Sequence, residues 1–287
     1  MVKKRSYTIA QLNKIAQDIR KDILTALEHA GSGHSAGPLG MADVFTALYF
    51  DILKHDPKKP DWSERDLFVL SNGHIAPVLY TALAHAGYFD KKELLTLRKF
   101  GSRLQGHPER TKLPGLETTS GPLGSGLSQA AGMAYALRMD GETHRWVYCA
   151  MGDGELNEGN IWEAVMFAGK YKLNNLIGII DRNNIQIDGA TEDVMPLEDL
   201  KGKWESFGWH VLEVDGNNIE SVIDAASMAR AITNQPTVII AHTVPGKGVD
   251  FMEYDYRWHG YGSSPGDYKK ALARLRTLDG IIRSEHE

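Results

Sequence analysis

The sequence predicts a three-layer α/β fold: a parallel sheet with helices on both faces. Short apolar runs rich in β-branched residues recur at 145–151, 175–181, 210–215 and 237–244, and helical patterns of 10 to 16 residues alternate with them at 160–171 and 218–233. That alternation marks a sheet whose strands are buried from both sides. A chain of 287 residues can bury a large core. With no internal repeat and no linker of shifted composition, 1–287 reads as one domain.

In chain order, Thr8 is placed to cap a first helix whose apolar positions Ile9, Leu12, Ile15, Ile19, Ile23 and Leu27 share one face, ending at Gly31. The spacing is amphipathic rather than continuously apolar, so no signal peptide or membrane span is read. The loop GSGHSAGPLG follows, then a helix over Met41 to Leu53, the polar connection KHDPKKPDWSERD, and a first buried strand at 67–71 ending in NGH. Helices are expected over Tyr80 to Gly87 and Lys91 to Phe100. The segment GHPERTKLPGLETTSGPLGSGLSQ is long, glycine-rich and low in charge, which favours a functional loop. The small residues of LSQAAGMAYALRM either pack in the core or let a neighbouring backbone approach.

Composition excludes several classes. The net charge is −5 and no basic run exceeds Lys3-Lys4-Arg5, so no nucleic-acid surface is expected. The single cysteine, Cys149, cannot form an internal disulfide and lies in an apolar strand, where it reads as a core residue rather than a nucleophile. A cytoplasmic protein is the expectation, with neither membrane nor nucleic acid as partner.

The chemistry concentrates in GDGELNEGN, residues 152–160. It joins the strand 145–151 to a helix with its apolar face at Ile161, Val165, Ala168 and Tyr171. Asp153 therefore stands at the carboxyl end of a parallel strand, before a helix whose free N–H groups attract anions. A carboxylate would repel a phosphate unless a hard divalent cation stood between them and took oxygens from both. Asn183, just past the strand 175–181, supplies a second, neutral oxygen, and a main-chain carbonyl near Ile185 a third. Alternatively, Asn183 and Asn184 only form a turn. Four histidines adjoin a glycine, His34, His74, His107 and His259, and are expected to converge on one pocket, where imidazoles can trade protons near neutral pH.

GDGELNEGNIWEAVMFAGKYKLNNLIGIIDRNNIQIDG closely resembles the thiamine diphosphate motif. SGHSAGPLGMADV, VLSNGHIAPVLY, LQGHPE, SGPLGSGLSQAAGMA, GKGVDF and WHG resemble segments of the transketolase family, in that family's order over nearly the whole chain. The resemblance implies a thiamine diphosphate-binding fold of the diphosphate type, with thiamine diphosphate and Mg2+ (or Ca2+ or Mn2+) as cofactors. By that resemblance Asp153, Asn183 and the carbonyl of Ile185 hold the metal, Gly152 and Gly154 adjoin the diphosphate, and Gly121 and Leu123 lie near the aminopyrimidine or thiazolium. His34, His74 and His107 would contact donor hydroxyls, His74 also the cofactor, and His259 the reacting carbonyl. Lys247 resembles a lysine near the diphosphate, or is a solvated loop lysine. Glu158 resembles a glutamate that couples paired active sites, or is a carboxylate favoured by a helix N-terminus. One departure stands out: Ser35 and Ala36 follow His34, where the family usually has proline and glycine.

The activity implied is transfer of a two-carbon ketol unit from a ketose (phosphate) to an aldose (phosphate). The family's pyrimidine-binding and C-terminal domains have no counterpart in this sequence, so a partner chain is expected to supply them in a heterotetramer of two plus two, with sugar phosphates as substrates. The alternatives are one chain of a deoxyxylulose-phosphate synthase, the first component of a 2-oxo acid dehydrogenase, or a non-catalytic cofactor-binding module.

Overall fold

The computed structural model describes residues 6–142, 144–260 and 266–275; the Lys3-Lys4-Arg5 start and both ends of the expected 1–287 domain lie outside them. Helix α1 (Ile9–Ala30) opens with reciprocal caps: the Thr8 hydroxyl accepts from the Gln11 N–H at 3.2 Å, and the Gln11 side chain accepts from the Thr8 N–H at 2.8 Å. Gly31, at φ 68°, ends it in the left-handed conformation glycine tolerates. The next helix starts earlier than its apolar pattern implied and bends at Met41, giving α2 (Ala36–Gly40), α3 (Ala42–Ala47) and a π turn over Leu48–Ile52. Its start is glycine-rich because space is short: a Cβ on Gly40 would sit 2.9 Å from the Val244 carbonyl oxygen.

Strand β1 (Leu67–Leu70) leads to α4 (Ala76–Ala86), which begins ahead of Tyr80 because Pro77 falls in the first turn, where no helical N–H partner is lost. The helix expected to reach Phe100 is a 3-10 helix over Lys91–Thr96, and Arg98 at φ 58° turns the chain away. Then come α5 (Ser125–Met139), β2 (Val147–Gly152), α6 (Gly159–Lys170) and β3 (Leu176–Arg182), all within a few residues of expectation. A hairpin of β4 (Ile185–Gln186) and β5 (Gly189–Ala190) and the short helices α7 (Thr191–Val194) and α8 (Leu200–Ser206) have no counterpart in the sequence reading. The chain continues through β6 (His210–Asp215), α9 (Ile219–Ala231) and β7 (Thr237–His242), and residues 266–275 are helical. No described helix is long and apolar enough to cross a membrane.

The main sheet has five parallel strands in the order β1-β2-β3-β7-β6. Its period-2 alternation divides the core. Phe68, Leu70, Tyr148, Ala150, Ile177, Ile179, Ile239 and Ala241 pack with α1, α3, α4 and α9, while Leu67, Val69, Cys149, Met151, Ile180, Val238 and Ile240 pack with α5, α6 and α8. Cys149 is fully buried and burial pushes its thiol well up, as a core residue requires. On α6, Ile161, Ala164, Val165 and Ala168 are buried, but Tyr171 is exposed and packs edge-on against Tyr135 and tilted against Phe167. In α5, Gly126 is where close approach is required, since a Cβ there would meet Ser71 at 2.4 Å; Ala130, Ala131 and Ala134 are ordinary core.

One buried ion pair sets the helices that carry the first histidine. Arg20 of α1 pairs with Asp43 of α3 and donates from Nε to the Leu39 carbonyl at 3.0 Å, both charged groups being 6% exposed. Asn217 donates to Asp43 at 2.8 Å and to the Gly40 carbonyl at 2.9 Å, and accepts from the Val244 N–H at 2.8 Å. The loop after β7 is thereby tied to α2 and α3. Replacing Arg20 by leucine strands the Asp43 carboxylate, and a loss of about 3–5 kcal/mol in urea-unfolding free energy is expected. A loss under about 1 kcal/mol would show that the pair carries no such load.

Candidate functional site

The carboxyl ends of β1, β2 and β3 meet at a cavity of about 210 Å³ lined by Asn72, His74, Leu123, Gly152 to Glu155, Asp181, Asn183, Ile185 to Asp188 and His259. Asp153, 2% exposed, begins the turn from β2 toward α6. Its Oδ1 accepts from the Gly154 N–H at 2.7 Å. Its Oδ2 accepts from the Asn184 N–H at 2.7 Å, Arg182 Nη1 at 3.2 Å and the Thr191 hydroxyl at 3.3 Å. Burial raises its acid, against the pull of those donors. Asn184 aims its N–H there from the left-handed region, φ 62°, so it does form a turn, while the Asn183 side chain is held separately. Asn183 donates Nδ2 to Asp181 at 2.8 Å and accepts from the Ile185 N–H at 3.0 Å, which fixes its Oδ1 as an acceptor. Asp181, also bonded by the Thr243 hydroxyl, is pushed up to about 7 by burial, with Asp153 adding to the shift.

A second carboxylate holds the cavity wall. Glu155 is 3% exposed. Its Oε1 accepts from the Ser71 hydroxyl and the Gly124 N–H, and its Oε2 from the Gly152 N–H at 3.0 Å. Ser71 in turn accepts from the Gly126 N–H at 3.1 Å. The end of β1, the start of α5 and the end of β2 therefore share one anion, and burial raises its acid against these donors.

The histidines gather above this floor. Ring centroids are 4.9 Å apart for His34 and His74, 5.2 Å for His74 and His259, and 5.9 Å for His34 and His259. His107 stands by the same turn: a Cβ on Gly73 would lie 3.3 Å from its ring. Burial, then the neighbouring His259, Arg98 and His107, lower His34 to about 4; burial and the surrounding imidazoles hold His74 well below its usual range. Burial lowers His259, and burial with Arg98 lowers His107. Nδ1 of both His34 and His259 is buried with no partner among the described residues. The Ser35 hydroxyl donates to the Trp258 carbonyl at 3.1 Å, so the residue after His34 ties its loop to the segment carrying His259.

Of the residues marked from sequence, His74, Leu123, Gly152, Asp153, Gly154, Asn183, Ile185 and His259 line the cavity, with His34 packed on the rings. Gly121 lies beside the Gly73 turn, its N 3.2 Å from where a Cβ of Gly73 would be. Glu158 is exposed at the α6 N-terminus and makes no side-chain cap, and Lys247 lies partly buried in the loop after β7; neither lines the cavity. The sequence reading passes over Asn72, Glu155, Asp181, Gln186 and Arg98. Glu155 has a usable signal, an acid directly after Gly-Asp-Gly; Arg98 has none, because its role depends on a left-handed loop residue.

Two outcomes are expected. Glu155→Ala leaves three donors without an acceptor and should lower unfolding free energy by on the order of 3 kcal/mol; a variant as stable as the parent would refute the shared-anion account. The second concerns pH. The native state keeps His34 and His74 neutral where the unfolded chain, with pKa near about 6.5, takes up protons. Their contribution is present above pH ~6.5 and falls as pH drops toward about 4, by about 1.4 kcal/mol per pH unit for each proton that only the unfolded chain binds. Between pH ~7.5 and pH ~5, the urea midpoint should fall less for His34→Asn/His74→Asn than for the parent, and equal falls would contradict it.

Comparison with known proteins identifies the family. Residues 11–275 match the family model described as transketolase, thiamine diphosphate binding domain. A 6-deoxy-6-sulfo-D-fructose transketolase subunit of a Clostridium species is 43% identical over 260 residues, covering 91% of this chain and 94% of that one. An apulose-4-phosphate transketolase subunit from Phocaeicola vulgatus is 43% identical over 256 residues, covering 89% and 90%. The solved transketolase of Leishmania mexicana superposes with TM-score 0.87 at 34% identity, over 94% of this chain but 41% of that one. A parallel sheet ending in Gly-Asp-Gly and Asn183, under three packed imidazoles, thus comes with family-wide likeness in sequence and shape, and the chain belongs to the transketolase family as its thiamine diphosphate binding domain.

Proposed function

We propose that this chain is the diphosphate-binding subunit of a two-chain transketolase, moving a two-carbon ketol unit from a ketose to an aldose. The observation that carries the reading is the clustering of His34, His74 and His259 beside a cavity lined by Asp153 and Asn183. The names of similar proteins support a partner chain, since relatives matched over about their whole length are called subunits. The partner is the pyrimidine-binding and C-terminal half, in an assembly of two plus two.

The donor set fits a hard divalent cation, Mg2+ first and Ca2+ or Mn2+ as substitutes. Asp153 would give a carboxylate oxygen and Asn183 an amide oxygen whose orientation is fixed from behind by Asp181, and Ile185, which lines the same cavity, would give its carbonyl as a third oxygen. Gly152 and Gly154 keep the wall low enough for phosphates, and the buried Asp153 carboxylate gains a counter-charge. When bound, thiamine diphosphate supplies the electron sink that lets a carbon–carbon bond beside a carbonyl break.

The chain's own residues do the rest. Neutral imidazoles can accept a sugar hydroxyl proton at a ring nitrogen and return it, and the unpartnered Nδ1 atoms of His34 and His259 leave both tautomers open. His34, His74 and His107 hold donor hydroxyls, and His259 donates to the reacting carbonyl oxygen once protonated. Arg98 places a positive charge beside His34 and His107, which suits a substrate with a terminal phosphate or sulfonate.

The test pairs the purified chain with its partner, thiamine diphosphate and Mg2+, against a panel of ketose phosphate donors and aldose acceptors. Two-carbon transfer is expected. Asp153→Ala should lose metal-dependent cofactor binding while keeping the parent's circular dichroism. Carbon dioxide release from pyruvate in place of transfer, or cofactor affinity unchanged in Asp153→Ala, would overturn the assignment.

A further inference from the structure

Two amide side chains in the cavity take no part in holding the metal or the sugar. Asn72 is 0% exposed, and neither its Nδ2 nor its Oδ1 has a partner among the described residues. Gln186 Nε2 is likewise buried and unpartnered. Both residues line the cavity. They stand on opposite sides of the Gly-Asp-Gly turn: a Cβ on Gly152 would meet Asn72 Nδ2 at 3.7 Å, and one on Gly154 would meet the Gln186 Cβ at 3.3 Å and Cδ at 3.8 Å. Buried polar groups in folded proteins are nearly always hydrogen-bonded, so a fully buried amide with both ends idle calls for a partner that arrives later.

The chemistry of that partner follows from the surroundings. Carboxylates of Asp153 and Glu155 already line the wall, so an anion enters only with a cation on Asp153, and its remaining oxygens then need donors that do not compete for the metal. A neutral N–H2 group is such a donor. Because neither end of the Asn72 amide is engaged, it is free to turn its N–H2 toward the anion. We propose that Asn72 and Gln186 are diphosphate-binding residues, donating hydrogen bonds to the cofactor's diphosphate from either side of Gly152-Asp153-Gly154. This rests on the reading of the site as one for thiamine diphosphate with a divalent metal. Glu155 is what sets Asn72 in place, since it bonds the preceding Ser71 and the facing Gly152 together.

The experiment is isothermal titration of the chain assembled with its partner, with Mg2+–pyrophosphate and with Mg2+–thiamine diphosphate, using the parent, Asp153→Ala, Asn72→Ala, Asn72→Asp and Gln186→Ala. Asn72→Ala and Gln186→Ala should each bind both ligands about tenfold more weakly, as expected for one lost hydrogen bond to a charged group, and Asp153→Ala should lose binding. Asn72→Asp should lose more, by setting an acid against the anion. Melting temperatures without ligand should not fall for Asn72→Ala, which removes an unpaired polar group, and Gln186→Ala, on a different strand, guards against a local folding defect in the first. If Asp153→Ala loses binding while both alanine variants stay within about twofold of the parent, the two amides are not diphosphate ligands and the inference fails alone. A loss confined to thiamine diphosphate, with pyrophosphate affinity unchanged, would overturn the diphosphate contact. If the parent binds neither ligand, or Asp153→Ala binds as the parent does, the reading of the site falls and this inference with it.

Discussion

The cavity depends on one buried anion. Glu155 accepts hydrogen bonds from a serine at the end of β1, a glycine N–H at the start of α5 and a glycine N–H at the end of β2. A neutral amide offers one oxygen and would bring two protons of its own into the cluster, whereas a carboxylate presents two acceptor oxygens and no donor. Its burial is costly, and three donors, strengthened by the charge, offset that cost. The consequence is geometric: Asn72, Gly124 and Gly152 are held relative to one another by a group that never needs to touch a ligand.

The sheet decides what can gather there. Its central strands are apolar on both faces, so polar side chains are driven to the strand ends, and parallel pairing brings the carboxyl ends of β1, β2, β3 and β7 to one edge. Ser71, Asp153, Asp181 and Thr243 come together this way, although most of the chain separates the first from the last. Packing enforces the same register. A Cβ on Gly178, in the middle of β3, would meet Met151 Cε at 3.1 Å and Val238 at 3.3 Å, so the glycine keeps neighbouring strands level as they reach the edge.

This explains which parts were legible in the sequence. Long amphipathic helices such as α1 and buried strands such as β3 announce themselves by period, and Asp153 and Asn183 by their place at strand ends. The β4–β5 hairpin, α7 and α8 are too short and polar to show a period, yet the hairpin carries Ile185 and Gln186 into the cavity. α2 was hidden because close contact with the loop after β7 requires glycine, a residue that reads as loop. Glu155 and Asn72 escape notice for a different reason. Their importance lies in what they do or do not bond to, and hydrogen-bond satisfaction is a property of the folded state alone. Ser35 shows the converse case: legible as a departure, it acquires meaning only when its hydroxyl is found on the Trp258 carbonyl.

The charges form a gradient that ties these pieces to the proposed chemistry. At the floor, Asp153, Asp181 and Glu155 are buried together, and each is pushed toward its neutral form by burial. Under the proposed function a divalent cation would reverse that tendency by making the ionised carboxylates the favoured state, so metal and diphosphate would enter more readily as a pair than apart. Above it, burial lowers all three imidazoles, and at His34 and His74 the neighbouring rings lower them further, since protonating one raises the cost of protonating the next. They are therefore held neutral at physiological pH, each keeping a ring-nitrogen lone pair that can accept a hydrogen bond. Arg98 adds a positive charge beside His34 and His107. A ligand that is metal-paired and anionic at one end, rich in hydroxyls in the middle and anionic at the other satisfies all three zones, and a cofactor diphosphate below a ketose with a terminal anion has that order. A neutral ketose would leave the Arg98 charge unanswered, so under the proposed function this arginine bears on substrate choice.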